Sequence, residues 1–460
     1  GNGAGYLVDG TANDFNVPTV GAAKLSTGLF SYFGSADYDY DSRFGFGATF
    51  RRDASSRFAS SNRWGTFYSV SGRWNMEREK FMEGSVFEML KLRASYGTNG
   101  NQDIVGALFG GLNLTRELYG SGAGYQNVQS LFITQLAVAD LKWETSTQAN
   151  FGLDYEVFKG RLRGSFDVYR KTTTDLYQPV PLSGINGTSG INANFGEMYN
   201  QGVEMLVNVD VIKNPDGFNL SATFNGSYNK NRITDVANEN GLIDNELTVV
   251  SEGHVLNEFY LVRYAGVNPA NGNLLFLDKD GNPTETPDPL TDRVYTGKAS
   301  IPTFQGGFGL SADYKGFFLT SQFTFVADIY RFDYDLSGVQ EAETIGIFNK
   351  STDLLRAWTP DNRVTDIPSL DATNLALDSN SDRYIRDASY VRLRFVSVGY
   401  SVPKKFLDNM FLKSVRGFVQ AENLVTFSKW RGWDAESPRG SDQYQYPTPK
   451  IVSVGLTVEF

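Results

Sequence analysis

The last ten residues of the chain, 451–460, alternate from Val452 onward between apolar residues and polar or small residues. A period of two is that of a β-strand with one apolar face, and the apolar face of this strand carries no charge. The strand ends on an aromatic residue, Phe460. Taken alone, the segment fits the edge strand of a soluble protein better than a membrane strand, but the rest of the chain reverses that preference.

The same alternation recurs along most of the chain, and none of the apolar faces carries a charge. The opposite faces favour Ser, Thr, Asn, Gln and Gly, with scattered charges. An Arg or Lys facing lipid at mid-bilayer costs about 2–4 kcal/mol, whereas the outer face of a soluble sheet normally carries many charges. The pattern therefore predicts an all-β protein, a transmembrane antiparallel β-barrel with a wet lumen. The alternating segments are 147–157, 162–168, 203–211, 218–228, 308–314 and 317–325.

The composition excludes several functional classes. The chain has no cysteine and one histidine, His254, so catalysis by a Ser-His or Cys-His pair has almost no support, and we expect no enzymatic activity. The net charge of −10 argues against broad binding to nucleic acid or to anionic lipid. No apolar run is long enough for a transmembrane helix, which needs about 18 residues. The chain begins GNGAGYLVDG, without a signal peptide, so we expect a processed protein or part of a longer one.

Two tryptophans are spaced as the aromatic girdles of a membrane barrel would be. Trp64 and Trp74 lie ten residues apart and share one face of the predicted strand. Ten steps along a tilted strand rise about 25 Å, which is the height of the apolar band between two girdles. We therefore predict that both residues are girdle residues.

The connections between strands alternate in length, as in outer-membrane barrels with short periplasmic turns and long extracellular loops. Counting from about Lys24 gives about 13 strands. The apolar phase shifts between Phe395 and Val396, which suggests a β-bulge. The predicted short or medium connections are 37–41, 76–89, 158–160, 214–217, 315–316 and 403–413, and the long ones are 51–63, 97–140, 171–197, 229–303, 328–387 and 427–449.

A series of blocks resembles the SusC/RagA-like TonB-dependent outer-membrane transporters. The blocks follow in order over nearly the whole chain, so the series is far more specific than any single block. They are FRRDASSRF (50–58), NRWGTFYSVSGRW (62–74), LKLRASYGTNGNQDI (90–104), LKWETSTQANFGLDY (141–155), NFGEMYNQGVEM (194–205), SYNKNRITDV (227–236), YAGVNPANGN (264–273), YIRDASYVRLRFVSVGYSVPKK (384–405), QAENLVTFSKWRGWDAESP (420–438) and YPTPKIVSVGLTVEF (446–460).

The resemblance implies a barrel of about 22 strands in the outer membrane, plugged by an N-terminal domain. It also implies import driven by TonB and a SusD-like surface lipoprotein that closes over the barrel as a lid. Such pairs in the Bacteroidetes import oligosaccharides or peptides. Phe460 matches the aromatic end of the family's closing strand, which the barrel-assembly machinery recognises during insertion into outer-membrane lipid.

The sequence departs from the family pattern because no plug, TonB-contacting segment or first strands precede the resembling blocks. A wall of about 13 strands would leave two unpaired edges in lipid, where each unsatisfied backbone group costs several kcal/mol. We therefore expect residues 1–460 to be the C-terminal part of a transporter barrel. Its last strand should pair with residues 417–425 on one side and, on the other, with a first strand that this sequence does not contain.

Two groups of residues are candidates for the site. Charged residues on the polar faces of the strands are predicted to face the lumen: Asp154, Arg163, Asp167, Glu204, Asp210, Asp313 and Glu422. Asp154 and Asp167 would polarise the lumen or pair with Arg163 rather than cleave glycosides. Aromatic residues in the predicted loops are candidate substrate contacts, with girdle or loop packing as the alternative: Trp358, Trp430, Trp433, Tyr444 and Tyr446.

Other motifs favour structural interpretations. The glycine-rich segment 120–124 lacks the Lys-Ser/Thr of a phosphate loop and reads as a flexible loop. Residues 278–282 and 378–382 space oxygen ligands as a calcium loop does but lack the closing Glu, so turn chemistry is the better interpretation. We therefore expect no cofactor or metal, with calcium in an extracellular loop a weak alternative. Asp37, Asp39 and Asp41 fall in a predicted periplasmic turn, and His254 is expected in an exposed loop.

Three functional hypotheses remain open at this point. The first is active import of oligomeric nutrients as the barrel of a SusC/SusD-type pair. The second is a non-importing barrel that serves as a structural subunit of a larger outer-membrane assembly or secretion complex. The third is a soluble β-rich surface adhesin, which the strand pattern favours least.

Overall fold

One antiparallel sheet of 13 strands, each paired with the next along the chain, dominates the computed structural model. The structure describes residues 26–103, 114–183, 185, 190–236, 241–407, 411–432, 434–436 and 446–460. The wall strands are β1 (Leu29–Tyr40), β2 (Phe44–Ser55), β3 (Trp64–Asn75), β4 (Phe87–Asn101), β5 (Glu144–Val157), β6 (Leu162–Thr174), β7 (Glu197–Ile212), β8 (Phe218–Asp235), β9 (Phe304–Tyr314), β10 (Phe317–Ala327), β11 (Tyr390–Ser401), β12 (Ser414–Ser428) and β13 (Ile451–Glu459).

The two faces of this wall differ in chemistry, as the sequence alternation predicts. We call the face that carries Asp154, Asp167 and Glu204 the charged face and the opposite one the apolar face. On the apolar face, large side chains stand open: Val454 is 81% exposed and Leu456 70% exposed. A sheet that exposes so much apolar surface must be covered by another apolar phase.

The last strand pairs as predicted. Val419 of β12 lies opposite Val454 of β13, and the antiparallel register runs from Ser414 opposite Glu459 to Glu422 opposite Ile451. This confirms the predicted partner on one side. Pairing of the other side with a strand outside this sequence stays a prediction.

Short turns at one end of the wall are built from residues that adopt positive φ angles. In the turn between β5 and β6, Phe158, Lys159 and Gly160 have φ values of 58°, 59° and 73°. Such tight turns match the twist of the flanking strands. They agree with the sequence prediction of short turns at 158–160 and 315–316.

The first turn lies at residues 41–43, so the prediction that placed Asp37 and Asp39 in a turn is wrong. Both belong to β1, and Asp39 accepts a hydrogen bond from Arg73 of β3. Glycines of β2 make room for these groups, because a Cβ atom at Gly47 would lie 2.9 Å from Asp37 Oδ1. The alternation of β1 thus continues to Tyr40.

The predicted bulge is present, centred on Arg394. The register of β11 against β10 and against β12 shifts between Leu393 and Phe395. The additional residue interrupts the strict alternation. Arg394 consequently joins Arg392 on the charged face, where both contact residues of the neighbouring strands.

The long connections at the other end of the wall contain secondary structure of their own. Residues 241–303 and 328–389, which we call the loop layer, hold most of it. The loop strands are Leu118–Ala123, Gln129–Gln135, Tyr177–Pro181, Gly190–Asn194, Leu242–Asn245, Thr248–Ser251, Glu258–Val267, Leu274–Leu277, Pro283–Thr284, Arg293–Ala299, Tyr330–Phe332 and Ile385–Asp387. Among the described residues, the helices of the long connections are one α-helix, Tyr334–Gln340, and the 3₁₀ turns Tyr125–Asn127, Thr352–Arg356, Leu375–Asn380 and Asp382–Tyr384. The 3₁₀ turns Met76–Arg78, Lys80–Met82 and Lys404–Phe406 lie at the short-turn end.

The hydrophobic cores lie mainly in the loops. In the loop layer, Leu261, Leu274 and Phe276 are completely buried. A further cluster beneath the loops at the other side of the wall includes Phe58 and Leu141. No helix in the described part of the chain is long and apolar enough to cross a bilayer.

Candidate functional site

A charged network crosses the wall at β4, β5 and β6. Arg93 donates from Nη2 to Asp154 (2.8 Å) and to Asp167 (3.0 Å), so one guanidinium bridges both predicted lumen carboxylates. Lys91 adds a longer ion pair to Asp154. Arg163, one of the two alternatives for these carboxylates, is not their partner. Arg163 lies near the short-turn end of β6, where its Nη1 is 3.6 Å from Asp210 Oδ2.

The other predicted lumen residues also lie on the charged face. Glu204 stands opposite Asp167 in the register of β7 and β6. Asp313 of β9 accepts a hydrogen bond from Asn219 of β8 (3.0 Å). Glu422 of β12 lies opposite Ile451, two residues along from Gln420 and its partner Ser453 and therefore on the same face. The structure therefore gathers Asp154, Asp167 and Glu204 in one region and leaves Asp210, Asp313 and Glu422 separate from it.

A second network ties the loop after β12 to the wall. Arg392 donates to Asp434 and, from Nη1, to Glu436 (2.7 Å), and Arg394 donates from Nη2 to the other oxygen of Glu436 (2.6 Å). Burial opposes ionisation of Asp434, but hydrogen bonds from Thr448, the Glu436 N–H and Arg392 outweigh burial and hold its pKa at about 2. The loop is thus held by buried, charge-assisted hydrogen bonds.

The two networks border a depression of about 550 Å³ on the charged face. Asp167 and Glu204 line one side, and Arg394 and Glu436 line the other. Between them, Asn225 and Thr324 present amide and hydroxyl groups. A surface of this kind can hydrogen-bond the hydroxyl groups of a sugar or the amides of a peptide.

The aromatic candidates in the loops occupy different environments. Trp430 is 8% exposed and packs with Ile329, Ala388, Tyr390 and Ala435. A buried ring cannot serve as a substrate platform, so the packing alternative describes Trp430 and its prediction as a substrate contact is wrong in this structure. The indole N–H of Trp358 donates to the Pro269 carbonyl (3.2 Å).

Tyr446 is fully exposed. It lies just before β13 and two residues from Thr448, which binds Asp434. It is therefore free to contact a ligand. Trp433 and Tyr444 lie outside the described residues.

The girdle candidates flank the apolar face of β3 as their spacing suggested. Trp64 stacks on Tyr32 with a centroid separation of 6.0 Å, and Trp74 stacks on Phe44 at 6.1 Å. The indole N–H of Trp74 also donates to Glu79 (3.0 Å). Phe460 stacks on Phe411 at 5.6 Å. The roles of these residues in membrane anchoring and in barrel assembly stay predictions.

The motifs that were interpreted structurally have structural partners. Asp278 accepts hydrogen bonds from the N–H groups of Asp280 and Asn282, which is turn chemistry. Asp378 forms a buried ion pair with Arg383 (2.6 Å). The glycine-rich segment 120–124 was predicted to be a flexible loop, and that prediction is wrong, because residues 120–123 belong to the strand Leu118–Ala123, which pairs with Gln129–Gln135. Within the described ranges, no group of three or more His, Asp or Glu side chains is placed to hold a metal ion.

His254 is less open than expected. Its ring stacks on Tyr295 at 3.6 Å, and its Nδ1 lies 2.9 Å from Glu258 Oε2. The pair sits where the loop after β8 turns back towards the wall. These contacts give the histidine a packing role.

Sequence reasoning missed the arginines that organise the site. Arg93 lies within the alternating run 90–95, where Lys91 and Arg93 alternate with Leu90, Leu92 and Ala94. The period of two could have placed Arg93 on the charged face. The partnership of Arg394 with Glu436 has no local signal, because it depends on a bulge and on a loop 42 residues away.

Comparison with known proteins places the chain in a family. A family model described as "TonB dependent receptor-like, beta-barrel" matches residues 2–424. The chain is 33% identical to TonB-dependent receptor P3 of Formosa agariphila, over 94% of this chain and 46% of that protein. It is 30% identical to TonB-dependent receptor SusC of Bacteroides thetaiotaomicron, over 94% of this chain and 44% of that protein. The chain thus spans about half the length of the curated relatives it matches.

A solved structure agrees with these relatives. The RagAB peptide transporter matches with a TM-score of 0.84 at 28% identity, over 98% of this chain and 50% of that chain. These relatives are transporters and receptors rather than enzymes. Their outer-membrane location explains why the apolar face is open, since lipid covers it. The chain therefore belongs to the TonB-dependent receptor β-barrel family, as a SusC/RagA-like member whose wall strands cross the outer membrane.

Proposed function

We propose that the protein containing this chain imports oligomeric nutrients, oligosaccharides or peptides, through the outer membrane. The observation that carries the proposal is the wall itself. One continuous sheet has a predominantly apolar, lipid-covered face and a charged face, and it matches the RagAB peptide transporter over 98% of the chain. Importing a polar oligomer requires such a lumen, because polar groups lose little hydration energy at a wet, hydrogen-bonding wall.

In this proposal the depression beside Asp167, Glu204 and Arg394 binds the oligomer on its way through the lumen. Tyr446 and the ring of Trp358 contact the ligand from the loops. Asp154 and Arg163, with Asp210, Asp313 and Glu422, keep the remaining wall polar. The chain performs no covalent chemistry, and energy comes from TonB through another region of the protein. A SusD-like surface lipoprotein closes over the loops.

Growth and uptake test the proposal. A strain lacking the complete gene is compared with its parent on single oligosaccharides and on peptide mixtures, and uptake of fluorescently labelled forms is measured. We expect loss of uptake for one class and co-purification of a surface lipoprotein with the complete protein. An unchanged growth profile on every source, together with co-purifying secretion or assembly components, would instead support the non-importing structural subunit.

A loop variant tests the site. Tyr446→Ala should raise the half-saturating ligand concentration for uptake about two- to tenfold, since aromatic contacts contribute about 0.5–1.5 kcal/mol. Tyr125→Ala is the matched control, because Tyr125 is also an exposed loop tyrosine, 87% accessible. An equal effect of both variants would remove Tyr446 from the proposed site.

A further inference from the structure

Three cations lie on the apolar face of neighbouring wall strands, all near the end from which the long loops leave. Arg170 of β6 and Lys230 of β8 stand opposite Gln201 of β7 from its two sides. One row further towards the loops, Arg232 of β8 stands opposite Tyr199. Since side chains paired across a sheet point to the same face, the cations form one patch on the lipid-covered exterior.

The patch has no internal counter-charge. All three cations are exposed, and none makes an ion pair or a side-chain hydrogen bond with any residue that the structure describes. The guanidinium of Arg170 lies 4.3 Å above the ring of Tyr199. Two carboxylates lie at the same end, Glu197 of β7 and Asp235 of β8, which stand opposite each other in the register. Glu197 accepts a hydrogen bond from Thr234 (3.0 Å). The donors of the three cations therefore have no hydrogen-bond or ion-pair partner among the described residues.

The opposite ends of the same strands are uncharged on this face. The outward residues there are Leu162 of β6, its partner Val209 of β7, and Phe218 of β8. If these cations only extended their long side chains to the membrane interface, cations would be equally favourable at either end of the strands. The cations are instead confined to the extracellular end, which indicates a ligand in the outer leaflet.

The apolar surface beside the patch describes the rest of that ligand. Val168 of β6 and Tyr228 of β8 lie next towards mid-membrane and are 44% and 38% exposed, and Met205 of β7, one row further, is 40% exposed. Arg170 and Lys230 are two strand spacings apart, about 10 Å. Two long side chains can close that gap around one phosphate group. The ligand then has an anionic group at the cations and an acyl chain that extends from there towards mid-membrane.

We infer that Arg170, Lys230 and Arg232 form a binding site for a phosphate-bearing lipid headgroup of the outer leaflet. Each cation near an anionic membrane surface strengthens binding by about fivefold. The site is independent of the proposed import, because it lies on the exterior of the wall.

Native mass spectrometry of the complete protein in detergent tests the site. The probes are diphosphorylated lipid A, the same lipid with both phosphates removed, and inorganic phosphate as competitor. The triple variant Arg170→Gln/Lys230→Gln/Arg232→Gln should bind the phosphorylated lipid on the order of a hundredfold more weakly. The dephosphorylated lipid should bind the unmodified protein about as weakly, and equimolar inorganic phosphate should not displace the phosphorylated lipid.

The matched control is Lys315→Gln/Lys404→Gln/Lys405→Gln, which removes three positive charges at the short-turn end and should leave binding unchanged. Equal losses in both triple variants would overturn the site, because the effect would then be one of net charge. Unchanged binding in the first variant would also overturn it, and displacement by inorganic phosphate would show a site for free phosphate rather than lipid. If the triple variant fails to fold, Lys230→Gln alone should still weaken binding about fivefold.

Discussion

The wall and the loop layer bury their apolar side chains in opposite ways. In the wall, Val454 of the last strand is 81% exposed, while in the loop layer Phe276 is completely buried. The wall relies on backbone pairing between neighbouring strands and on lipid to cover its apolar face. The loop layer behaves as a small soluble domain, with cores around Leu261 and Phe276. The same kind of substitution should therefore have different effects on stability in the two regions. This difference is tested below, from the largest expected effect to the smallest.

The largest effect is expected from the buried ion pair of the loop layer. Asp378 and Arg383 are 2.6 Å apart, with side chains 14% and 7% exposed. Asp378→Ala leaves a buried cation unpaired, which costs about 3–5 kcal/mol. Hydrogen exchange in residues 258–267 should accelerate more than about a hundredfold. The wall should keep its slow exchange, because its strands do not depend on this pair.

The control for this prediction removes both charges. Asp378→Leu/Arg383→Met should recover most of the protection, since replacing a buried pair by apolar residues is often neutral. If Asp378→Ala exchanges as slowly as the unmodified protein, the loop layer does not depend on the pair. If the wall opens together with the loops, the two regions are not separate units of stability.

The second prediction places the same charge on the two faces of one wall strand. Val454→Arg puts a guanidinium into lipid and should lower the free energy of unfolding by about 2–4 kcal/mol. Ser453→Arg puts it on the charged face and should cost less than about 1 kcal/mol. Denaturant unfolding of the complete protein in phospholipid vesicles measures both. Equal losses of unfolding free energy in the two variants would show that the valines of β13 do not face lipid.

The wall could be predicted from the sequence because its rules are local. Side chains alternate, lipid excludes charge from one face, and each strand pairs with its neighbour in sequence. Residues 147–157 and 451–460 therefore gave correct strands, and even the bulge near Phe395 left a phase shift that could be detected. Glycines mark a limit of this reasoning. Asp37 and Asp39 seemed to be turn residues because the space that Gly47 leaves for them is visible only across the sheet.

The site could be predicted only in part, because its partners lie far apart in sequence. Alternation placed Asp154 and Asp167 on the charged face but gave them the wrong arginine. Arg93 reaches Asp167 across 74 residues, and no local pattern encodes that distance. Trp430 was misjudged for the same reason, since its burial depends on Ile329 and Ala388. Loop residues are ordered by such contacts, and alternation carries no information about them.

The third prediction concerns pH and the loop that Asp434 ties to the wall. The pKa of Asp434 is about 2 in the folded protein against an ordinary value of 3.8. Because the pKa of Asp434 is lowered in the folded protein, its carboxylate stabilises the loop at pH values above the ordinary pKa of 3.8. The loop is therefore held at neutral pH and is released as the pH falls through 3.8 towards about 2. A spin label at Tyr446→Cys in a cysteine-free background should gain mobility over that interval.

The matched variant for this titration is Asp434→Asn, which removes the charge but keeps the shape. Its label should be mobile at neutral pH and should show no transition on acidification. A transition that persists unchanged in Asp434→Asn would assign the effect to another carboxylate. Asp353 would be the next group to replace. Burial opposes its ionisation, but hydrogen bonds from Arg431 and Gln340 outweigh burial and lower its pKa to about 2.

The smallest effect on stability is expected from removing one aromatic pair in the wall and a similar pair in the loop layer. Tyr32 and Trp64 on the apolar face of the wall have ring centroids 6.0 Å apart, and Phe332 and Tyr384 in the loop layer are 5.9 Å apart. Double-mutant cycles to alanine should give a coupling of about 0.5–1.5 kcal/mol for each pair. The wall coupling should appear in global unfolding in vesicles, while the loop coupling should appear only in local hydrogen exchange. If the loop pair contributes to global unfolding as strongly as the wall pair, the loop layer and the wall unfold together. The different burial of their apolar side chains would then reflect different surroundings rather than separate units of stability.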